Sequence, residues 1–301
     1  MNTKINFAGI EFKNPVVTAS GTFGSGIEYG EFVDLNLLGG VVTKGVAITP
    51  WTGNPTPRVA ETYGGMLNAI GLQNPGLDTF LKRDIPFLER FDTNVIVNVC
   101  GHSEEEYVAA VSGLAGAKNV KMLEINISCP NVKEGGIAFG TDPQMVEKIT
   151  SAVKKVAAQP IIMKLSPNVT DITETAKAAE AGGADGISLI NTLTGMKIDI
   201  NRRTFALANK TGGLSGPAVK PVAVRMVYQC ANTVKIPIIG MGGISNAEDA
   251  LEFIMAGASL VAVGTANFHD PMATLKVVKG IEEFMEEKKI ENLSELVGCV
   301  K

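Results

Sequence analysis

Histidine and cysteine, the residues that most often hold metals, are scarce in this sequence. There are two histidines, His102 and His269, among 301 residues. Four cysteines are widely separated and form no Cys-x-x-Cys pair: Cys100, Cys129, Cys230 and Cys299. This spacing excludes a zinc knuckle and an iron–sulfur cluster of the usual spacing, so we expect no metal site. Widely spaced cysteines also suit a reducing cytoplasm.

Long apolar runs and an excess of positive charge are also missing. No run reaches the roughly 18 apolar residues of a membrane span, and the first residues lack the apolar stretch of a signal peptide. Lysine and arginine number 27 against 31 aspartates and glutamates, which gives a net charge of −4. No basic field is therefore present to attract nucleic acid or an anionic membrane. We expect a cytoplasmic protein that binds neither.

Glycine, by contrast, is in excess, with 33 residues, or about 11% against the usual ~7%. The glycines cluster where short apolar runs end. Eight such runs recur along the chain: Val16–Ser20, Gly40–Lys44, Asn94–Val99, Met122–Ser128, Pro160–Ser166, Gly186–Asn191, Pro237–Gly243 and Leu260–Ala266. Near-continuous apolar runs are typical of parallel strands that are buried on both faces.

Helix-like stretches lie between these runs. One of them, Ser103–Leu114, begins with a serine followed by three glutamates, which is a capping pattern. Three more stretches are amphipathic or end in glycine: Asp142–Ala157, Asp171–Ala181 and Asn246–Ala256. Eight β/α units in about 250 residues predict an α/β protein with a (β/α)8 TIM barrel.

We expect a single domain over residues 1–301, because no linker or repeat divides the chain. Ile5–Phe12 is typical of a short N-terminal hairpin that closes the bottom of the barrel, and the tail from Pro271 onward is typical of helices. A doubly wound sheet is the alternative. Its G-x-G-x-x-G motif is not matched, since Gly21–Gly26 has the wrong spacing.

Polar residues stand where the apolar runs end, and in TIM barrels the chemistry lies at the C-terminal ends of the strands. Lys44 and Lys164 each end an apolar run, although lysine is rarely buried. Three asparagines occupy equivalent places: Asn98, Asn126 and Asn191. One such lysine can simply pair with a carboxylate. Together these residues indicate a site for an electron-rich, anionic, heteroaromatic ligand.

Glycines after the seventh and eighth runs point to a phosphate site. Gly240–Ile244 and Gly264–Thr265 would let backbone N–H groups approach a phosphate without obstruction by a Cβ atom. Ordinary tight turns use glycine as well, and many phosphate-binding barrels share this signal.

The segment Ile125–Asn131 has the sequence INISCPN and places Cys129 at the mouth of the fourth strand. A cysteine there can be a base, a nucleophile or an inert buried thiol. Cys100 also follows a strand and is the competing thiol. We expect the loop Asn131–Gly140, which follows Pro130, to act as a lid.

Seven motifs follow one another along the chain: Thr18–Gly21, Val42–Gly45, Gly53–Arg58, Asn68–Leu72, Asn126–Asn131, Ile190–Thr192 and Gly240–Ile244. In this order they resemble, essentially end to end, the class 1 dihydroorotate dehydrogenases, flavin enzymes that make orotate in pyrimidine synthesis. The cysteine of the fourth-strand motif resembles class 1, since class 2 enzymes use serine as the base. Asn68–Gly76 resembles the NAD-linked class 1B catalytic subunit.

The resemblance implies bound FMN and the oxidation of (S)-dihydroorotate to orotate. It implies that Cys129 removes the C5 proton, that Lys44 contacts both flavin and substrate, and that Lys164 stabilises the negative charge of reduced flavin. The implied flavin-binding residues are Ser20, Lys44, Gly45, Asn98, Asn126, Lys164, Ile190, Gly216, Gly242, Gly243, Gly264 and Thr265. The implied substrate-binding residues are Lys44, Asn68, Ala69, Ile70, Gly71, Leu72, Asn126, Asn131, Asn191 and Thr192.

Electron transfer to NAD needs a further protein, because the chain has neither a dinucleotide fingerprint nor a cysteine cluster. The resemblance implies a partner subunit that carries FAD and a [2Fe–2S] cluster, in a heterotetramer built on a homodimer of this chain. Two other functions stay open. One is the FMN subunit of a dihydropyrimidine dehydrogenase, and the other is a non-redox phosphate-binding barrel such as an aldolase.

Overall fold

The computed structural model describes residues 1–127 and 139–300. The strands in chain order are β1 (Ile5–Phe7), β2 (Ile10–Phe12), β3 (Val16–Thr18), β4 (Gly40–Val42), β5 (Val59–Thr62), β6 (Gly65–Asn68), β7 (Asn94–Val99), β8 (Val120–Asn126), β9 (Ile161–Lys164), β10 (Gly186–Leu189), β11 (Leu193–Met196), β12 (Ile198–Asp199), β13 (Thr204–Phe205), β14 (Thr211–Ser215), β15 (Ile238–Met241) and β16 (Leu260–Val263).

The helices in chain order are α1 (Leu77–Thr79), α2 (Ile85–Leu88), α3 (Glu104–Gly113), α4 (Pro143–Lys154), α5 (Ile172–Ala181), α6 (Lys220–Ala231), α7 (Ala247–Met255), α8 (Ala266–His269) and α9 (Ala273–Lys288). A π-helical turn, Phe80–Asp84, joins α1 to α2. In the described ranges, no helix has the length and apolar character needed to cross a membrane.

Eight parallel strands form a closed barrel in the order β3-β4-β7-β8-β9-β10-β15-β16, with β16 pairing back to β3. The predicted (β/α)8 barrel is therefore confirmed, and each of the eight apolar runs overlaps one barrel strand. Several strands end two residues before the predicted boundary. Boundary residues such as Ser20, Lys44 and Asn191 follow the last residue of their strand, so a boundary drawn from the apolar pattern runs past the hydrogen-bonded strand.

The predicted helix starts are confirmed as N-caps, and each helix begins one residue later. The Ser103 and Asn246 side chains accept hydrogen bonds from the backbone N–H of Glu106 and Asp249. Asp142 and Asp171 cap α4 and α5 in the same way. Such caps satisfy backbone donors that have no partner within the helix, and this fixes where each helix begins.

The N-terminal hairpin β1–β2 closes the amino-terminal end of the barrel, as predicted. Phe7 and Phe12 are fully buried and meet edge to face, with ring centroids 6.4 Å apart. A Cβ atom on Gly186, the first residue of β10, would lie 2.8 Å from the Phe7 ring. The glycine therefore makes room for the phenylalanine, and the bottom of the barrel is packed with apolar side chains.

A second sheet, not predicted from the sequence, stands over the carboxyl-terminal mouth. Its four antiparallel strands run in the order β11-β14-β6-β5. They come from the excursions that follow barrel strands β4 and β10. Because it adds a wall above the ends of the barrel strands, this sheet turns a shallow mouth into a deep cavity.

Candidate active site

A cavity of about 760 Å³ opens at the carboxyl-terminal end of the barrel. Its floor is made by residues that follow the barrel strands, and one wall is made by β5, β6, β11 and β14. This volume lies within the range of small-molecule and cofactor sites, roughly 300–1,000 Å³. The cavity has the place and size that an active site of a TIM barrel requires.

Most residues singled out from the sequence line this cavity: Ser20, Lys44, Asn68, Ala69, Ile70, Gly71, Leu72, Asn126, Lys164, Ile190, Asn191, Thr192, Gly216, Gly242, Gly243, Gly264 and Thr265. Two predicted flavin residues, Gly45 and Asn98, lie below the lining, and Asn98 is fully buried. Cys129, Asn131 and most of the predicted lid lie outside the described residues. The structure thus brings together sites that are up to about 245 residues apart in sequence.

Lys44 follows β4 and contributes its ammonium group to the cavity. Burial lowers the pKa of Lys44, and the positive charges of Arg58 and Lys164 lower it further, while Cys100 acts in the opposite direction. An anionic ligand would offset the cost of burying the charged ammonium group, because it would supply a negative charge beside it. Lys44 is therefore arranged to favour a negatively charged ligand.

Lys164, the last residue of β9, is 5% exposed. Its Nζ donates a hydrogen bond to Ser20 Oγ at 3.3 Å and lies 3.5 Å from the Glu124 carboxylate. A cation is thus held at the bottom of the cavity, where the low dielectric strengthens its field.

Glu124 is a functional candidate that the sequence reasoning missed. It is fully buried within β8 and accepts hydrogen bonds from Asn98 Nδ2 at 2.5 Å and from Ser188 Oγ at 2.8 Å. The available signal was one acidic residue between the apolar residues Leu123 and Ile125, two positions before Asn126. Alternate strand residues share a face, so Glu124 and Asn126 both point into the barrel.

The three predicted asparagines form a connected chain. Asn126 Nδ2 donates to Asn98 Oδ1 at 3.5 Å, and Asn191 Nδ2 donates to Asn126 Oδ1 at 3.3 Å. The Tyr107 hydroxyl donates to the backbone oxygen of Asn126 at 2.7 Å, which fixes the end of β8. The amides therefore reach from the barrel interior to the cavity surface in a defined order.

The segment Asn68–Leu72 borders the cavity and is held by side chains around it. Asn74 Nδ2 donates to the Leu72 carbonyl at 2.9 Å, and Asn54 Nδ2 donates to the Ala69 carbonyl at 3.0 Å. Leu72 itself has a φ of +51°, an uncommon value for a non-glycine residue. Asn74 and Asn54, missed as site residues, keep this segment in a fixed shape.

The described cysteines lie in different environments. Cys100 is buried under Gly45, where an added Cβ would lie 3.3 Å from its Sγ, and it does not line the cavity. Cys230 is buried in α6, and burial raises its pKa to about 12. Cys299 is exposed. His102 stacks on Trp51 with ring centroids 3.8 Å apart.

The glycines after β15 present backbone donors to the cavity. Gly242 and Gly243 have φ values of +127° and +83°. A Cβ on Gly243 would lie 2.8 Å from the Gly216 carbonyl oxygen and 2.9 Å from Lys220 Cβ. Within the described residues, the N–H groups of Gly242 and Gly243 donate to no other residue. Two free donors at a cavity surface suit a phosphate.

The chain is similar to known proteins over most of its length. A family model described as dihydroorotate dehydrogenase matches residues 2–285. The chain belongs to the dihydroorotate dehydrogenase family. It is 70% identical, over the full length of both chains, to the dihydroorotate dehydrogenase B (NAD(+)) catalytic subunit of Lachnoclostridium phytofermentans. The subunit of the same name from Alkaliphilus metalliredigens is 65% identical over 100% of this chain and 99% of its own.

The fold is also that of a solved dihydroorotate dehydrogenase. A DHODH from Eimeria tenella, determined in complex with ferulenol, superimposes with a TM-score of 0.82 at 23% identity. The match covers 99% of this chain and 88% of the other. The resemblance to the class 1B subgroup is confirmed by the relatives, and members of the dihydroorotate dehydrogenase family are flavoproteins.

Proposed function

We propose that this chain is the catalytic subunit that oxidises (S)-dihydroorotate to orotate with FMN, in the de novo synthesis of pyrimidines. The observation that carries the proposal is the pairing of two lysines with an asparagine chain around one cavity of about 760 Å³. Dihydroorotate is a carboxylate whose ring is rich in amide groups, and its product orotate has a planar ring. Lysines and amides are the side chains that match its charge and its donors and acceptors.

The residues present fit FMN. The N–H groups of Gly242 and Gly243, with Gly216, Gly264 and Thr265, would hold its phosphate, because glycines allow the backbone to approach closely. Ser20, Lys44, Asn126, Lys164 and Ile190 would border its ring from the cavity side. Gly45 and Asn98 would support that wall from below. FMN, when bound, supplies an acceptor for the hydride that leaves C6 of the substrate.

Substrate binding falls to the opposite part of the cavity. Asn68, Ala69, Ile70, Gly71 and Leu72 would contact the substrate ring and carboxylate together with Asn126, Asn131, Asn191 and Thr192. Lys44 reaches both ligands, and the anionic carboxylate would restore the stability that burial removes from its ammonium group. The fixed backbone of 68–72 orients the substrate without further ordering.

Proton removal is assigned to Cys129, which lies outside the described residues. Its place in the sequence, three residues after Asn126 at the end of β8, supports this assignment, because catalytic groups of TIM barrels follow the carboxyl ends of the strands. The thiolate would take the C5 proton, and the lysine cations of the cavity would favour the thiolate. Lys164 would stabilise the negative charge that builds up on the acceptor side.

Electrons would leave through a second protein. The relatives are named catalytic subunits of NAD(+)-linked enzymes, which supports a partner subunit for this chain. We propose that the partner carries FAD and a [2Fe–2S] cluster and that the assembly is a heterotetramer on a homodimer core. The wide spacing of the four cysteines in the sequence supports a reducing, cytoplasmic location.

Steady-state assays test the proposal. With an artificial electron acceptor, the purified FMN-loaded chain should oxidise dihydroorotate and not dihydrouracil. NAD reduction should appear only after the partner subunit is added. A preference for dihydrouracil would reassign the chain to the dihydropyrimidine dehydrogenases. Robust NAD reduction by this chain alone would refute the partner.

A further inference from the structure

Glu124 is a buried carboxylate to which the proposed function gives no role in proton transfer and no contact with a ligand. It is fully buried and does not line the cavity. A buried charge is costly unless it is paired and hydrogen-bonded. Here the surroundings supply these partners, so the carboxylate belongs to a built arrangement within the barrel.

Four neighbouring barrel strands contribute to this arrangement. The register places Asn98 of β7 beside Glu124 of β8, and Ser188 of β10 beside Lys164 of β9. Glu124 Oε2 accepts from Asn98 and lies 3.5 Å from Lys164 Nζ, and Oε1 accepts from Ser188. Rigid strands thus hold the carboxylate between a cation and an amide.

The carboxylate also gives the amide chain a direction. A carboxylate only accepts hydrogen bonds, so Asn98 must present its Nδ2 to Glu124 and its Oδ1 to Asn126. Asn126 then donates through Nδ2 and accepts from Asn191 through Oδ1. Asn126 and Asn191 line the cavity. Glu124 therefore determines which donors and acceptors Asn126 and Asn191 present to the ligands, although it lies two and three side chains away from them along the hydrogen-bonded chain.

We propose that Glu124 is a positioning residue that acts on both ligands through Lys164 and Asn98. Its carboxylate weakens the positive field that Lys164 exerts on the flavin, and it fixes the orientation of the Asn98–Asn126–Asn191 chain that faces the substrate. This inference rests on the proposed function, because it assigns FMN and dihydroorotate to the cavity.

The principal test is Glu124→Gln, which keeps the size and removes the charge. Without the negative charge, Lys164 should stabilise anionic reduced FMN more strongly. We expect the two-electron reduction equilibrium of FMN to shift about tenfold toward the reduced form, or roughly 30 mV to more positive potential. A glutamine can also donate, so the amide chain loses its fixed direction. Orotate should bind about three- to tenfold more weakly, measured through the flavin spectrum.

Ser188→Ala is the matched control, since it removes one hydrogen bond to Glu124 and leaves the charge in place. Its FMN potential should shift by less than about threefold in equilibrium constant, even if the variant is less stable. A second comparison uses the Lys164→Gln background. If Glu124 acts through Lys164, adding Glu124→Gln to Lys164→Gln should change the potential much less than it does in the wild type.

Asn98→Ala separates the two roles and keeps the test decisive if Glu124→Gln does not fold. It cuts the amide chain and leaves the Glu124–Lys164 pair, so orotate affinity should fall while the potential shifts less than in Glu124→Gln. An unchanged potential in Glu124→Gln, or unchanged orotate affinity in Asn98→Ala, would overturn the corresponding role. A wild-type chain that binds FMN and is reduced by dihydroorotate keeps the proposed function intact in either case. A wild-type chain that does neither removes the function itself.

Discussion

At the amino-terminal end of the barrel, the hairpin buries Phe7 and Phe12 against the first residues of the strands. At the carboxyl-terminal end, the same strands finish in Lys44, Lys164 and Asn126 around a cavity. One end is packed around buried phenylalanine side chains, and the other keeps buried charges that cost stability. In this chain, the packing that stabilises the fold and the groups that carry the chemistry therefore lie at opposite ends of the barrel axis.

The largest effect is expected at the mouth. Cys129→Ala should slow reduction of FMN by dihydroorotate about 10²–10⁴-fold, because the base that takes the C5 proton is lost. Stopped-flow absorbance would measure this rate. FMN content and melting temperature should stay near the wild-type values. Cys100→Ala is the control, and a comparable loss there, with Cys129→Ala still active, would move the base to Cys100.

Substitution at the opposite end should show the reverse pattern. Phe7→Ala should lower the free energy of unfolding by about 3–5 kcal/mol, since it leaves a cavity in a packed region. The rate of FMN reduction per folded molecule should not change. Denaturant unfolding would measure the free energy of unfolding, and stopped-flow absorbance would measure the rate of FMN reduction. Phe7→Leu, which fills most of the volume, should cost less than about 1.5 kcal/mol. A slowed reaction in Phe7→Ala would break the separation.

Between these extremes lies a position where fold and site overlap. Gly243→Ala forces a Cβ atom onto a φ of +83° and to within 2.8 Å of the Gly216 carbonyl oxygen. We expect a loss of about 1–3 kcal/mol in stability and weaker FMN binding. Gly264→Ala is the control for stability, because among the described residues its Cβ would meet just Ala19 at 3.4 Å and Thr22 at 3.9 Å. Equal losses of stability at the two positions would contradict the strain argument.

The smallest expected effect concerns Lys44, whose buried ammonium group at the carboxyl-terminal mouth lowers the stability of the fold. Burial lowers the pKa of Lys44 in the folded chain below the ordinary lysine value of about 10.4. At a pH below the lowered pKa, Lys44 is protonated in both the folded and the unfolded chain, and the folded chain is destabilised by the full cost of burying the charged ammonium group. As pH rises from the lowered pKa toward about 10.4, the folded state releases its proton first and the cost fades.

In the FMN-free chain, Lys44→Met should therefore raise stability at neutral pH by about 1 kcal/mol, or about 2–4 °C in Tm. The advantage over wild type should shrink across this alkaline window, and dihydroorotate oxidation should be lost. Thermal unfolding from pH 7 to 10.5 would test it. A variant that is less stable than wild type at pH 7 would mean that Lys44 stabilises the fold.

The barrel was predictable because its strands are short, apolar and regularly spaced, and the caps at Ser103 and Asn246 identify helix starts. The four-stranded sheet β11-β14-β6-β5 over the carboxyl-terminal mouth was not predictable. Its strand Thr211–Ser215 is half-exposed, glycine-rich and without a clear alternation of polar and apolar residues. Pairings such as that of β6 with β14 join segments almost 150 residues apart, and no local pattern encodes them.

The site was predictable where polar residues end strands, as at Lys44, Lys164 and Asn191. Glu124 was missed because it lies inside a strand, where sequence alone does not show which face it occupies or that Ser188 and Asn98 will meet it. The single-domain assignment for residues 1–301 and the role of Cys129 stay predictions.

An anaerobic titration of the purified, FMN-loaded chain with dihydroorotate tests the central claim most directly, namely that the carboxyl-terminal mouth carries flavin-dependent oxidation of this substrate. The flavin absorbance should bleach with one equivalent of dihydroorotate per FMN, and one equivalent of orotate should form. A chain that takes up no FMN, or whose flavin absorbance stays unchanged with excess dihydroorotate, would contradict the account.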